Sequence, residues 1–158
     1  FRRLGVTADI QPLWAYLDTE RLTEVTSLGD ERASRLLAFR SLFSSGARVV
    51  AGSDWISKSM NPLYSIQVAV TRRPPNGSGP AWIPEQRVLL EQMIEAYTIN
   101  GAWIAHQETE TGSIEVGKFA DLIVLEQNLF ETDPMKLKDV KVLLTLLEGE
   151  EVYRDPRF

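Results

Sequence analysis

The sequence has 158 residues, of which 44% are hydrophobic and 25% charged, and this fits one ordinary domain, or one domain with an appendage, with a core of its own. Its 17 basic and 22 acidic residues give a net charge of −5, which argues against a nucleic-acid surface. The lack of cysteine excludes disulfides, thiolate metal sites and a cysteine nucleophile. No apolar run approaches the roughly 18 residues of a membrane span, so we expect no membrane partner.

The first predicted element is a short strand within residues 4–12, which ends at Pro12 because proline cannot donate to a strand ladder. Residues 13–29 are predicted to form a loop with some helical character. Trp14 lies just beyond the strand, where it either lines a pocket or packs under its own loop.

Residues 30–45 are predicted to form one helix, because apolar side chains recur on one 3.6-residue face and Asp30 can cap the start. Gly46 then supplies the left-handed residue that ends the helix. Residues 48–52 are predicted to form a strand buried on both faces, since a short apolar run ends at a glycine. Helix, glycine and buried strand in this order are typical of a βα barrel, where the chemistry lies at the C-terminal ends of the strands.

Asp54 follows this strand and is the strongest candidate in the chain for a catalytic or metal-binding carboxylate. The alternative is that Asp54 only caps the next turn, since serine and aspartate both favour turns. The single histidine, His106, cannot supply the several imidazoles of a typical zinc site, and no serine, aspartate or second histidine lies near it. We therefore expect His106 to be structural.

The chain after Asp54 is predicted to contain a helix over residues 63–70 and an exposed loop over residues 72–80, which is rich in proline and glycine. Arg72 in this loop either binds an anionic substrate group or is a solvated surface charge. A further helix is predicted to begin at Pro84, and a second short one at Asn100.

The last third of the sequence has the pattern of strands and turns. Residues 120–125 and 140–147 are predicted strands, separated by a loop over residues 128–138. Residues 148–150 are predicted to form a hairpin turn into a final strand over residues 151–154. A βα region followed by an all-β region implies two parts, with the boundary near residue 107.

Four stretches of the sequence carry a combined resemblance to a known family. They are Leu4–Val6 with Gln11–Pro12; Gly46–Arg48 with Gly52–Trp55, Asn61–Leu63 and Val70–Arg72; Tyr97–Ala102; and Gly112–Leu122. Together they resemble the C-terminal portion of a metal-dependent amidohydrolase of family 3, in its YtcJ-like branch. The resemblance implies an α/β fold. Residues 1–106 would form the last two βα units of a TIM barrel, and residues 107–158 the C-terminal half of a small β-sandwich.

The resemblance also implies a reaction. The parent enzyme would hydrolyse a C–N bond, of an amide or a cyclic amide, in a small-molecule substrate with the help of a divalent metal that we expect to be zinc. Asp54 would be the aspartate that follows barrel strand 8, contacts the metal and takes a proton from the attacking water. Trp14, Trp55 and Arg72 are candidates for the substrate side.

The family's metal-binding histidines and its lysine or acidic bridge would all lie before Phe1. We therefore expect this chain to be part of a longer enzyme, to be inactive alone and to bind no metal alone. A cut barrel exposes strand edges, so we expect a homodimer or a swapped dimer. A cytoplasmic location is expected, although an export signal could precede Phe1.

Two other functions remain open at this point. One is a non-catalytic regulatory or interaction protein on the same scaffold, because fold does not settle function and some relatives carry an exoenzyme-regulatory label. The other is a free-standing half-barrel that dimerises to complete its sheet.

Overall fold

The computed structural model describes all residues from 1 to 158, and the chain builds two small sheets. The first sheet pairs two parallel strands, β1 (Ala8–Ile10) and β2 (Val49–Ala51). The second sheet is antiparallel and contains, in spatial order, β3 (Leu122–Leu125), β4 (Val142–Leu147) and β5 (Glu150–Arg154). The fold is therefore mixed α/β. Its assignment to barrel and sandwich portions, and the boundary at residue 107, stay predictions.

Six α-helices lie between the strands. They are α1 (Thr19–Leu28), α2 (Asp30–Ala33), α3 (Phe39–Ser44), α4 (Pro62–Thr71), α5 (Leu90–Tyr97) and α6 (Ile99–Ile104). Five short 3₁₀ helices complete the structure: Arg2–Leu4, Pro12–Trp14, Pro84–Gln86, Leu129–Glu131 and Pro134–Asp139. None of the helices has both the length and the apolar composition that a bilayer crossing requires.

The prediction of one helix over residues 30–45 is wrong, because the chain divides there into α2 and α3. Leu37 lies between them with φ of 49°, in the left-handed region that interrupts a helix. The carbonyl of Leu37 accepts hydrogen bonds from Phe39 N at 2.8 Å and from Arg72 Nη1 at 3.0 Å, so its partners are a tight turn and a distant side chain. Asp30 makes no capping bond, whereas Gly46 has φ of 73° as predicted.

Other predicted elements are close to the observed ones. The helix expected over residues 63–70 is confirmed as α4, whose start is capped by Asn61 Oδ1 accepting from Leu63 N at 3.0 Å. The region predicted as a partly helical loop contains the ten-residue α1, capped by Asp18. The loop predicted over residues 128–138 instead contains two 3₁₀ helices.

The hydrophobic core lies beneath the parallel sheet and surrounds α4. α4 is buried on nearly all sides, as an apolar helix must be when neighbouring elements cover every face. The buried apolar side chains of this core are Ala8, Ile10, Leu13, Ala15, Phe39, Val49, Leu63, Ile66, Val68, Ala69, Val88, Met93, Leu137 and Val140. Only Leu137 and Val140 lie outside residues 1–106. Most of the buried core side chains therefore belong to the part of the chain that contains the parallel strands.

The antiparallel sheet is built differently. None of the residues in β3, β4 or β5 is buried, so the sheet is held mainly by its ladder of backbone hydrogen bonds. Its predicted hairpin turn is confirmed: Glu148 and Gly149 both have positive φ, at 52° and 86°, which is the type of turn that matches the twist of a hairpin.

Candidate functional site

Two loops begin where the parallel strands end. We call residues 11–18 the Trp14 loop and residues 52–61 the Asp54 loop. Because parallel strands end at the same edge of a sheet, both loops start at one edge, and Gly52 N donates to Ile10 O there at 2.9 Å. This edge is the end of a parallel sheet at which α/β proteins place their ligands and their chemistry.

Asp54 lies three residues beyond β2 and is exposed. Its φ of 51° is left-handed, a conformation that aspartate tolerates better than most residues. The turn around it is closed by other groups: Ser53 Oγ accepts from Trp55 N at 3.2 Å, and Asp54 O accepts from Ser57 N at 3.0 Å. The Asp54 carboxylate therefore does not cap this turn and is free to accept a proton or bind a cation.

Asp9 is a second carboxylate at this edge, and the sequence interpretation missed it. It is exposed between the buried Ala8 and Ile10, so it lies on the opposite face of β1 from the core. Its Oδ1 lies 3.6 Å from the position that a Cβ on Gly52 would occupy. The alternation of apolar, acidic and apolar residues in β1 was the signal that could have identified it.

Tyr97 reaches the same edge from α5. Its hydroxyl donates to Gly52 O at 3.4 Å, and burial together with the nearby charge of Asp9 raises the pKa of this phenol above its ordinary value. The hydroxyl thus stays protonated and holds the end of β2, from which the Asp54 loop departs.

Trp14 lies half-buried in its loop, with two cations near its ring. The Arg21 guanidinium lies 5.5 Å from the Trp14 ring centroid, and Lys58 Nζ lies 4.7 Å from it. Lys58 comes from the Asp54 loop, so this tryptophan joins the two loops. Trp55 is instead 62% exposed directly beside Asp54. Substrate contact by either tryptophan stays a prediction.

Arg72 is placed differently from the expectation of a solvated residue in an exposed loop, and that part of the prediction is wrong. Its side chain is fully buried, and Nε donates to Trp82 O at 2.9 Å while Nη1 donates to Leu37 O. Burial lowers the pKa of this guanidinium to about 10. Because Arg72 holds backbone segments together inside the molecule, we do not carry it into the proposed site.

The donors for a metal do not come together within this chain. No group of three or more histidine, aspartate or glutamate side chains lies close enough to hold a metal ion, whereas a zinc site takes three or four such donors. His106 is exposed just after α6, in a left-handed conformation with φ of 59°. Metal binding by Asp54 stays a prediction.

Comparisons with known proteins agree on one family. Residues 1–153 match the model of the amidohydrolase family. Protein LONG AFTER FAR-RED 3 of Arabidopsis thaliana is 34% identical over 154 residues, which are 97% of this chain and 26% of that protein. The putative amidohydrolase YtcJ of Bacillus subtilis is 30% identical over 96% of this chain and 28% of its own length. The N-substituted formamide deformylase of Arthrobacter pascens is 31% identical over 73% of this chain and 21% of its own.

A solved structure supports the same fold. The crystal structure of an amidohydrolase from Thermotoga maritima matches 72% of this chain and 25% of that chain, with a TM-score of 0.54 and 22% sequence identity. The chain spans about a quarter of the length of the curated relatives described above. The family match over nearly all of its residues, together with these relatives, shows that the chain belongs to the amidohydrolase family, as a member of family 3.

Proposed function

We propose that this chain is the C-terminal portion of a metal-dependent hydrolase that cleaves the C–N bond of a small amide or cyclic amide. The observation that carries the proposal is the position of Asp54, an exposed and unpaired carboxylate just past the end of a buried parallel strand. The relatives, which include a putative amidohydrolase and an N-substituted formamide deformylase, support this class of reaction.

Asp54 would act on the water that attacks the amide carbon. A carboxylate within hydrogen-bond reach of that water orients it and accepts its proton as the new C–O bond forms. The same proton can then pass to the nitrogen that leaves, so Asp54 ends the reaction ionised, as it began. The left-handed φ of Asp54 and the hydrogen bond from Ser57 N to Asp54 O shape the turn that presents this carboxylate.

The proposal requires that residues outside this chain supply most of the metal ligands. A bound divalent metal would supply a nucleophilic water at neutral pH. Asp54 alone provides too few ligands to bind such a metal. The residues described here contribute a general base at the edge of the sheet, with Trp55 exposed beside it on the side open to a substrate.

Activity measurements on a polypeptide of the relatives' length that contains this chain test the proposal. Formanilide represents the N-substituted formamides and hydantoin the cyclic amides, and hydrolysis of each is followed by release of product. We expect Asp54→Asn to lower kcat/KM by about 10²- to 10⁴-fold, the usual contribution of a general base. Asp30→Asn is the matched control, because Asp30 is equally exposed but lies in α2 and makes no side-chain hydrogen bond.

The proposal fails if Asp54→Asn hydrolyses the substrate as fast as the unchanged protein. It also fails if the unchanged, metal-loaded protein hydrolyses neither compound, a result that would favour the regulatory or interaction function instead. An equal loss in Asp54→Asn and Asp30→Asn would show a general effect of charge, and it too would contradict the assigned role.

A further inference from the structure

The Asp54 loop has little to hold it in place. Gly52 is bonded to β1 and Asn61 caps α4, so both ends of the loop are fixed. Between them, none of residues 53–60 is buried, and the apolar side chains of this stretch are open to solvent. Trp55 is 62% exposed and Ile56 is 78% exposed. Hydrophobic packing therefore cannot fix the position of Asp54.

The hydrogen bonds of residues 53–60 are also almost all local. Trp55 N and Asn61 N donate to serine hydroxyls two residues earlier, and Ser57 N donates to Asp54 O. The single hydrogen bond that joins this stretch to another segment runs from Lys58 Nζ to Asp18 Oδ2, at 3.3 Å. Lys58 is thus the one polar contact between the middle of the Asp54 loop and the rest of the molecule.

The partners of Lys58 are themselves held firmly. Asp18 Oδ1 accepts from Arg21 N at 2.9 Å and so caps α1, which leaves Oδ2 for Lys58. The rings of Trp14 and Tyr16 lie 4.7 and 5.5 Å from Lys58 Nζ and form a partly apolar seat for the ammonium group. Side-chain exposure of only 20% for Lys58 and 23% for Asp18 shields this ion pair from solvent.

We propose that Lys58 is a positioning residue for Asp54: its contacts with Asp18, Trp14 and Tyr16 hold the Asp54 loop against the Trp14 loop and thereby fix the approach of the Asp54 carboxylate. This inference rests on the proposed general-base function of Asp54. Lys58 touches neither substrate nor reacting atoms. It acts because a misplacement of about 1 Å in a catalytic group can cost on the order of 10²-fold in rate.

The experiment has a structural arm and a kinetic arm. Hydrogen–deuterium exchange of residues 53–61, measured by mass spectrometry, reports whether the loop is held. We expect faster exchange there in Lys58→Met and in Asp18→Asn, because asparagine still caps α1 but lacks the charge that pairs with Lys58. Lys58→Arg keeps the cation over the aromatic rings and should retain slow exchange. Lys136→Met is the control, since Lys136 is exposed and makes no ion pair.

The kinetic arm uses the longer polypeptide and whichever of formanilide or hydantoin it hydrolyses. We expect Lys58→Met to lower kcat by about 10- to 100-fold with little change in KM, and Lys58→Arg to restore most of the rate. A change confined to KM would overturn the inference, because Lys58 would then bind substrate. Unchanged exchange of residues 53–61 in Lys58→Met would overturn it as well.

The two proposals can fail separately. If Asp54→Asn stays active while Lys58→Met loosens the loop, the general-base function is wrong although the loop contact is real. If Asp54→Asn is inactive while Lys58→Met keeps both slow exchange and full kcat, only the role of Lys58 is wrong. Faster exchange with an unchanged kcat also contradicts the positioning role, because the loop would then move without effect on the reaction.

Discussion

The two sheets of this chain are stabilised in opposite ways. The parallel pair β1–β2 is only three residues long on each strand, yet four of its six residues are buried, and three of these four belong to the main core. The antiparallel sheet β3–β5 is longer, although its register shifts between Val124 and Leu125 and between Thr145 and Leu146, and it buries none of its residues. The first sheet depends on packing and the second on hydrogen bonds.

This difference explains where the candidate site lies. A functional group is best supported by a well-packed element, and the Asp54 loop starts from β2, which contributes Val49 to the main core. A sheet usually needs a second layer before it is stable, and within this chain β3–β5 is covered only in part: most of β4 is half-buried and Leu125 packs against the main core. The homodimer expected from the sequence is one way to supply it and stays a prediction.

The largest expected effect is the loss of stability when a core side chain is truncated, compared with the same change in the antiparallel sheet. Met93 is fully buried, so Met93→Ala should lower the free energy of unfolding by about 2–5 kcal/mol through lost burial and a cavity. Leu144 lies in β4 and is only half-buried, so Leu144→Ala should cost about 1 kcal/mol. Chemical denaturation of the 158-residue chain measures both. Equal losses would mean that the antiparallel sheet has a core of its own.

The next effect concerns the turn between the regions. Gly112 has φ of 87°, and a Cβ there would lie 2.6 Å from Ala102 Cβ in α6. Gly112→Ala therefore combines backbone strain with overpacking and should cost about 2–4 kcal/mol. Gly117 has φ of 96° but nothing within 4 Å, so Gly117→Ala should cost about 1–2 kcal/mol. Thermal unfolding of the two variants gives the comparison, and a larger loss at Gly117 would contradict it.

A smaller loss of stability is expected at Gln67, whose buried side-chain amide joins α4 to the segment between β3 and β4. Gln67 in α4 donates to Pro75 O at 3.0 Å and accepts from Lys138 N at 3.1 Å. Gln67→Met keeps the size of the side chain but leaves both partners unsatisfied, so it should cost about 1–3 kcal/mol. Exchange of the Lys138 amide should also become faster. Gln107→Met serves as the control, because Gln107 is exposed. If Gln67→Met were as stable as the unchanged protein and kept the Lys138 amide protected, Gln67 would not hold these segments together.

The smallest effect depends on pH and tests the end of the antiparallel sheet. Hydrogen bonds from the Arg157 side chain and backbone hold the pKa of the Asp155 carboxyl well below its usual range. The resulting stability is fully present above the unfolded value of 3.8 and is lost as the pH falls below it, because the unfolded chain takes up the proton first. The melting temperatures of the unchanged protein and Asp155→Asn should therefore converge below about pH 4. A constant difference down to pH 2 would contradict this assignment.

The sequence predicted those elements that local pattern decides. The apolar runs of β2 and α4 and the turn at Glu148–Gly149 need no distant partner to be recognised. The break at Leu37 could not be predicted from local pattern, because one of the hydrogen bonds to its carbonyl comes from Arg72, 35 residues away. The burial of Arg72 has the same origin, since partners far apart in sequence enclose it.

The candidate site divides in the same way. Asp54 was found because it follows a recognisable strand, and Asp9 could have been found from the alternation within β1. Lys58 left no signal in the local pattern, because its partner Asp18 lies 40 residues earlier and meets it only when two strands end at one edge. The role of a side chain that depends on such a long-range contact can be recognised only in the folded structure.

Native-state hydrogen exchange, measured residue by residue by NMR on the 158-residue chain, tests most directly whether Asp54 is carried by the most stable part of the molecule. We expect the slowest exchange in β1, β2 and α4, and much faster exchange throughout β3–β5. Equal or greater protection in β3–β5 would contradict the contrast between the sheets, and it would remove the physical basis for placing the proposed catalytic carboxylate at the end of β2.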